Sequence, residues 1–238
     1  MRFMLLMPWG RVGSNLLMAI LRQSAPMKLQ SEQLIQLKTD ADQEKWFAEF
    51  YEIGADQPSA LFIGSKQNLL SIRDFEAMRA RITDYGIRLV RLRRDNLVKT
   101  AISQMRAEQY ADKMERETGK RVWALKAGAE RLGPTEIDPD VLVRRIGLIE
   151  RTQSQLMDGF EAGKVLDLEY EEINRSVENV AGRLRSFLDV PGNPKYRIPH
   201  AKATPDDVHT SIANLGAVEA RLAGTRYASM LYEGENRA

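Results

Sequence analysis

Cysteine is absent from the 238 residues, and with it go disulfide bridges, thiol nucleophiles and thiolate-held metals. Histidine is nearly absent: His200 and His209 are the whole complement, and no carboxylate set accompanies them, so no metal site is expected. Net charge is also scarce. Lys+Arg 35 against Asp+Glu 33 leaves +2, which argues against a general nucleic-acid or membrane-surface binder and assigns any anion chemistry to local basic clusters. Long apolar runs are missing too. The run Arg2-Phe-Met-Leu-Leu-Met7 stops at Pro8 and Gly10, too short for a signal-peptide core, and no stretch approaches the roughly eighteen apolar residues of a membrane span. A soluble, cytoplasmic protein is the expectation, with no membrane span and no nucleic acid as partner. Internal repeats, heptads and low-complexity tracts are lacking as well.

What remains is an ordinary globular composition, 43% hydrophobic and 29% charged, long enough for one full-sized domain over 1–238. Short apolar runs alternate with helical patterns. Strands are predicted at Arg2–Met7, Pro26–Leu29, Ala60–Ile63, Ile87–Leu92 and Lys164–Leu168. Helices are predicted after Gly13, over Gln43–Tyr51, Ser71–Tyr85, Asp95–Thr118, from Asp138 to Gly163, over Val177–Leu188 and over Ala217–Tyr232. Residues from Pro191 to His209 read as loop. This rhythm argues for an α/β fold, three layers α/β/α around a mostly parallel sheet, whose ligands sit beyond the carboxyl ends of the strands. Within it, 1–110 reads as the core, 111–163 as a helical region and 164–238 as the closing strand, helices and C-terminal loop.

Two segments at strand ends carry chemistry. In Pro8-Trp-Gly-Arg-Val-Gly-Ser-Asn-Leu16, Gly10 and Gly13 permit a tight curl, and Ser14 or Asn15 can cap the helix that follows. Main-chain N–H groups, the positive helix end and the guanidinium of Arg11 then share one concavity suited to phosphate or sulfate. The spacing is neither G-x-x-x-x-G-K-[ST] nor G-x-G-x-x-G, so on spacing alone an ordinary strand-to-helix turn is an equal reading. In Arg93-Arg-Asp-Asn-Leu-Val-Lys-Thr-Ala-Ile-Ser103, a helix starting near Asn96 places Asn96, Thr100 and Ser103 on one face, opposite Leu97, Val98, Ala101, Ile102 and Met105. Arginine's planar fork suits a phosphate. The alternative is that Arg88, Arg91, Arg93 and Arg94 form a solvated edge protecting the sheet from pairing.

The first segment resembles the R-S-G-[ST]-[TN]-L-L loop with which sulfotransferases grip the 5′-phosphosulfate of 3′-phosphoadenosine-5′-phosphosulfate (PAPS), with Val12 in place of the usual serine. The second is similar to that family's 3′-phosphate segment, and the two occur in the family's order, about eighty residues apart. Gly64-Ser-Lys66, Leu168-Glu-Tyr-Glu171, Phe187-Leu-Asp-Val190, Ala213-Asn-Leu215 and Leu222–Tyr227 extend the resemblance, which is nearest to bacterial carbohydrate-type sulfotransferases. It implies a P-loop nucleoside-triphosphatase-like sulfotransferase fold. It also implies PAPS as co-substrate, adenosine 3′,5′-bisphosphate (PAP) as product, no metal, and a carbohydrate or glycolipid acceptor bearing a hydroxyl or amine.

On the same basis Gly10, Arg11, Val12, Gly13, Ser14, Asn15 and Leu16 hold the 5′-phosphosulfate. Arg94 with Arg93 and Ser103 holds the 3′-phosphate, and Lys202 with Arg197 closes over it. Arg11, Glu32 and Lys66 are the catalytic candidates, Glu32 as general base; Glu32 also reads as a surface residue at a helix start, and Lys66 as an exposed lysine. A kinase-like phosphotransferase and a catalytically silent PAP-binding module are the competing readings. The acceptor's identity and the oligomeric state, a homo-oligomer included, are not written in the sequence.

Overall fold

A computed structural model describes residues 1–52, 62–123, 132–160, 164–191 and 208–233. They group into two compact units, one of Met1–Asp95 with Thr152–Ile198, the other of Asn96–Arg151 with Pro199–Ala238. The long helix beginning at Leu97 groups with the C-terminal residues and not with the sheet.

The first unit holds a five-stranded sheet of β1 (Arg2–Met7), β2 (Met27–Ser31), β3 (Phe62–Asn68), β4 (Arg88–Arg93) and β5 (Val165–Glu169), ordered β2-β3-β1-β4-β5 with every pairing parallel. β1 is central and buried on both sides, as an unbroken apolar strand must be. Its alternation divides the core. Phe3, Leu5 and Met7 pack with Leu17, Met18 and Leu21 of α1 (Ser14–Ser24) and with Val180, Ala181, Leu184 and Leu188 of α7 (Val177–Leu188). Met4 and Leu6 pack with Phe47, Phe50 and Tyr51 of α2 (Asp40–Tyr51), Met78 and Ile82 of α3 (Phe75–Asp84), and Leu156 of α5 (Pro139–Asp158). The predicted three-layer architecture is thus present, with helices on both faces of a parallel sheet. The aromatic stripe of α2 is core, Trp46 stacking on Phe50 at 5.2 Å.

Three boundaries differ from the sequence reading. β3 runs on through Gly64-Ser-Lys-Gln-Asn68, where an apolar-run criterion stops at Ile63. Ser65 and Gln67 there are buried: Tyr51 Oη lies 2.6 Å from Ser65 Oγ, and the Gln67 Oε1 atom accepts from the Leu34 amide. α3 starts at Phe75, not Ser71, because Asp74 is the residue whose side chain caps it, by accepting from the Ala77 amide. A short helix, α6 (Tyr170–Arg175), separates β5 from α7 through a capping box between Glu169 and Glu172.

In the second unit α4 (Leu97–Thr118) is capped by Asn96, whose Oδ1 accepts from Lys99 N, and ends at Gly119 with φ 69°. Its first two turns are buried all round, Lys99, Thr100 and Ser103 included, so the polar face read from the sequence is not a solvent face. The C-terminal helix is broken. α8 (Leu215–Leu222) ends before Gly224 at φ 73°, and among the described residues a 3-10 turn, Ser229–Leu231, follows. Among the described residues no helix is long and apolar enough to cross a membrane.

Candidate functional site

Because all five strands run the same way, their carboxyl ends lie along one edge of the first unit. There the Pro8–Gly13 loop follows β1, Glu32 follows β2, Lys66 lies in the second half of β3, Arg94 follows β4 and Tyr170 follows β5. The loop's curl is not where the glycines alone suggest. Gly13 does take a positive φ of 83°, but the other left-handed residue is Arg11, at φ 69°, and not Gly10. A side chain in that region costs about 1–2 kcal/mol, strain of the kind stored at working sites. Neither Ser14 nor Asn15 caps α1. Gly13 is its N-cap, no side chain satisfies the first turn, and Ser14 is already helical, so the helix presents its N-terminal amides uncovered by a side-chain cap.

Val12 is buried among the core residues at 1% exposure. The departure from serine thus serves packing, and position 12 offers the loop no side-chain donor. Gly13 has a second reason to be glycine: a Cβ there would lie 2.9 Å from Tyr170 Cδ2.

Arg94 joins this loop. Its Nη1 donates to the Arg11 carbonyl at 3.4 Å, its guanidinium lies 4.3 Å from the centroid of the Tyr170 ring, and its Nε is 3.9 Å from Glu171 Oε1. Burial, in the main, and the like charge of Arg94 hold the Arg11 guanidinium below its usual range, with Tyr170 pulling the other way. Two neighbouring cations, one of them desolvated, favour an anion between them.

The other arginines of β4 are spoken for. β4 is interior to the sheet, not an edge, and its register sets Arg91 opposite Asp167 and Arg93 opposite Glu169. Arg91 makes a two-pronged pair with Asp167 at 2.6 and 2.7 Å and also donates to the Met157 carbonyl. Arg93 pairs with Glu169 and Asp95, and Arg88 with Asp189. The solvated-edge alternative therefore fails, and of the Arg93-Arg94 pair it is Arg94 that reaches the loop. The carboxylates crowd: burial first, then Glu169, raise the Asp95 pKa.

Lys66, expected either at the site or exposed, is buried at 4% exposure. Its Nζ contacts Glu32 Oε1 at 2.6 Å and Asn15 Oδ1 at 2.7 Å, and the Glu32 amide donates to the Lys66 carbonyl at 2.6 Å. Glu32 sits at φ 53°, left-handed, at the start of the turn Gln33–Gln36. One ammonium thus ties the first turn of α1 to the candidate base. Sequence reasoning missed Asn15 as a side-chain partner of Lys66 and Tyr170 as the wall behind Gly13 and beneath Arg94. The second was signalled only by the Leu168-Glu-Tyr-Glu171 element.

Ser103 is buried on α4, in the second unit. Lys202 and Arg197 lie outside the described residues. Among the described residues no group of three His, Asp or Glu is placed to hold a metal ion.

No protein-family model matches the sequence, and no curated protein matches it. Solved structures do. A sulfotransferase from Alicyclobacillus acidocaldarius is similar with TM-score 0.51 at 14% identity, over 97% of this chain and 96% of that one. The mouse sulfotransferase SULT7A1 complexed with PAP gives 0.47 at 14%, over 81% of this chain and 60% of that one; the chain spans well under two thirds of the mouse enzyme. The sulfotransferase domain from the curacin biosynthetic pathway gives 0.47 at 16%, over 81% and 75%. The likeness that spans nearly both whole chains shows the fold: a mostly parallel α/β architecture of the sulfotransferase type.

Proposed function

We propose that this chain is a PAPS-dependent sulfotransferase whose acceptor is a hydroxyl or amine, in the carbohydrate or glycolipid class. The observation that carries the reading is the Arg94 bond to the Arg11 carbonyl, which joins two motifs about eighty residues apart at one strand edge. Each motif alone is weak; arginines from both at one uncapped helix start suit a doubly anionic nucleotide.

In this reading the main-chain N–H groups of Gly13 to Leu16 and Arg11 take the 5′-phosphosulfate, and Arg94 takes the 3′-phosphate. The parts of Ser103, Lys202 and a supporting Arg93 rest on the motif residues alone. Glu32 accepts the acceptor's proton as its oxygen bonds to sulfur. The bond from sulfur to the bridging oxygen breaks, and PAP leaves with the electron pair. Arg11 and Lys66 stabilise the charge that grows there, so positioning and electrostatics carry the rate. The reaction needs no metal.

The test is transfer of labelled sulfate from PAPS to a panel of sugars and glycolipids, with ATP and magnesium as control. Transfer from PAPS without magnesium supports the reading. Turnover of ATP with magnesium favours a phosphotransferase, and tight PAP binding with no transfer favours a silent binding module.

A further inference from the structure

Asn15 is the second residue of α1, in the turn where an asparagine side chain ordinarily caps the helix. It caps nothing, since Gly13 is the N-cap and no side chain satisfies the first turn. Its Oδ1 accepts instead from Lys66 Nζ at 2.7 Å, a partner 51 residues away. In the proposed function the main-chain N–H of Asn15 belongs to the phosphosulfate cradle; its side-chain oxygen is engaged with β3.

Lys66 is buried, and its ammonium is gripped from two sides, by Asn15 and by Glu32 Oε1 at 2.6 Å. Glu32 needs such holding. Its φ of 53° is left-handed, which a residue with a side chain adopts at a cost, and no side chain caps the turn Gln33–Gln36 that follows. The backbone of this turn is pinned to β3, the Glu32 amide donating to the Lys66 carbonyl and the Leu34 amide to Gln67 Oε1. The Glu32 carboxylate is held by Lys66.

A lysine ammonium is a point charge on a flexible stem, so one carboxylate fixes its distance but not its direction. Asn15 supplies the second point. Its oxygen is neutral, so the charge that Lys66 brings to the strand edge is fixed without being cancelled.

We infer that Asn15 is a positioning residue: through Lys66, its side chain sets where the Glu32 carboxylate stands. As an account of catalysis this rests on the proposed function, in which Glu32 takes the acceptor's proton. The linkage from Asn15 through Lys66 to Glu32 is measurable without turnover.

Hydrogen exchange and steady-state transfer from PAPS test it on the full chain, in wild type, Asn15→Leu, Asn15→Asp, Lys66→Met and the double variant Asn15→Leu with Lys66→Met. Asn15 is exposed, so its replacement leaves the core intact. In Asn15→Leu the amides of residues 32–37 are expected to exchange about ten- to a hundredfold faster, while those of 88–92 in β4 hold within about twofold. Asn15→Asp keeps the oxygen and should hold the turn near wild-type exchange. In Asn15→Leu kcat should fall about tenfold or more, with PAP affinity within about threefold of wild type. In the Lys66→Met background the same substitution should change kcat and exchange by no more than about twofold, because a residue that acts through Lys66 has nothing left to act on.

Unchanged exchange at 32–37 in Asn15→Leu overturns the linkage. So does an equal acceleration at 88–92, which would make Asn15 a general stabiliser. PAP affinity lost in step with kcat would make the side chain a nucleotide ligand, and a full further loss in the Lys66→Met background would show that it acts elsewhere; either result overturns the positioning role. Should Lys66→Met fail to fold, Asn15→Asp decides, and exchange as fast as in Asn15→Leu counts against the inference. A wild type that transfers no sulfate, with exchange as expected, removes the proposed function and leaves the linkage standing.

Discussion

Arg94 donates its Nη1 to the main-chain carbonyl of Arg11 at 3.4 Å, so a residue at the head of the second motif holds the backbone of the first motif's arginine. Arg11 needs fixing, since its φ of 69° is one that a residue with a side chain adopts at a cost. In the proposed function the strain and the chemistry fall on the same residue, and they can be separated.

Arg11→Gly removes the guanidinium and relieves the left-handed backbone, whereas Arg11→Ala removes the guanidinium and keeps the strain. Both variants are expected to lose about 10²- to 10³-fold in turnover with PAPS. In thermal or urea unfolding Arg11→Gly should be the more stable of the two by about 1 kcal/mol. Equal stabilities, or wild-type turnover in either variant, would contradict the assignment.

Gly13→Ala meets two obstacles at once, a φ of 83° and a Cβ 2.9 Å from Tyr170 Cδ2. The expected loss is about 1–3 kcal/mol of stability together with weakened PAP binding, since the first-turn amides shift. Adding Tyr170→Ala should recover only the contact part, because the backbone angle is untouched. Full recovery in the double variant, read by urea unfolding, would show that the angle costs nothing.

In the proposed function Lys66 and Glu32 divide their roles. Glu32→Gln keeps an oxygen to accept from Lys66 Nζ but loses the proton acceptor, so kcat should fall about 10²- to 10⁴-fold with PAP affinity unchanged. Lys66→Met leaves Glu32 and Asn15 without their shared partner and should cost about 1–3 kcal/mol in stability as well as activity. A Glu32→Gln enzyme with normal kcat in steady-state kinetics would remove Glu32 as the base.

Tyr51 makes stability depend on pH. Burial raises its phenol pKa well above the ordinary 10.0, against hydrogen bonding with Ser65. Above that pH the unfolded chain releases a proton that the native state retains. Stability attributable to this group is therefore full below about pH 10 and declines by about 1.4 kcal/mol per pH unit above it. Tyr51→Phe should cost about 1–2 kcal/mol at pH 7, through its bonds to the Phe3 carbonyl and Ser65, yet show a flatter decline above pH 10 in chemical unfolding. An unchanged slope would contradict the burial argument.

The parts of the fold legible in the sequence are those where local pattern and tertiary structure agree. The apolar run of β1, the Asn96 and Gly119 ends of α4, and the Asp138-Pro139 start of α5 each carry their own signal. β3 hides because its polar residues Ser65 and Lys66 are satisfied by partners far along the chain, Tyr51 for Ser65 and Glu32 with Asn15 for Lys66, which no window of sequence contains.

The same holds at the candidate site. That Arg11 and Arg94 are candidates is visible from motif order, but that Arg91 and Arg93 are neutralised follows only from the register that places Asp167 and Glu169 opposite them.

Calorimetric titration with PAP against 5′-AMP, on wild type, Arg11→Ala and Arg94→Ala, tests the central claim most directly. The wild type is expected to prefer PAP. Arg94→Ala should lose PAP affinity by tenfold or more, about 1.4 kcal/mol, while holding 5′-AMP nearly as before, and Arg11→Ala should weaken both. Equal losses for the two nucleotides in Arg94→Ala, or a wild type that does not distinguish them, would contradict the account.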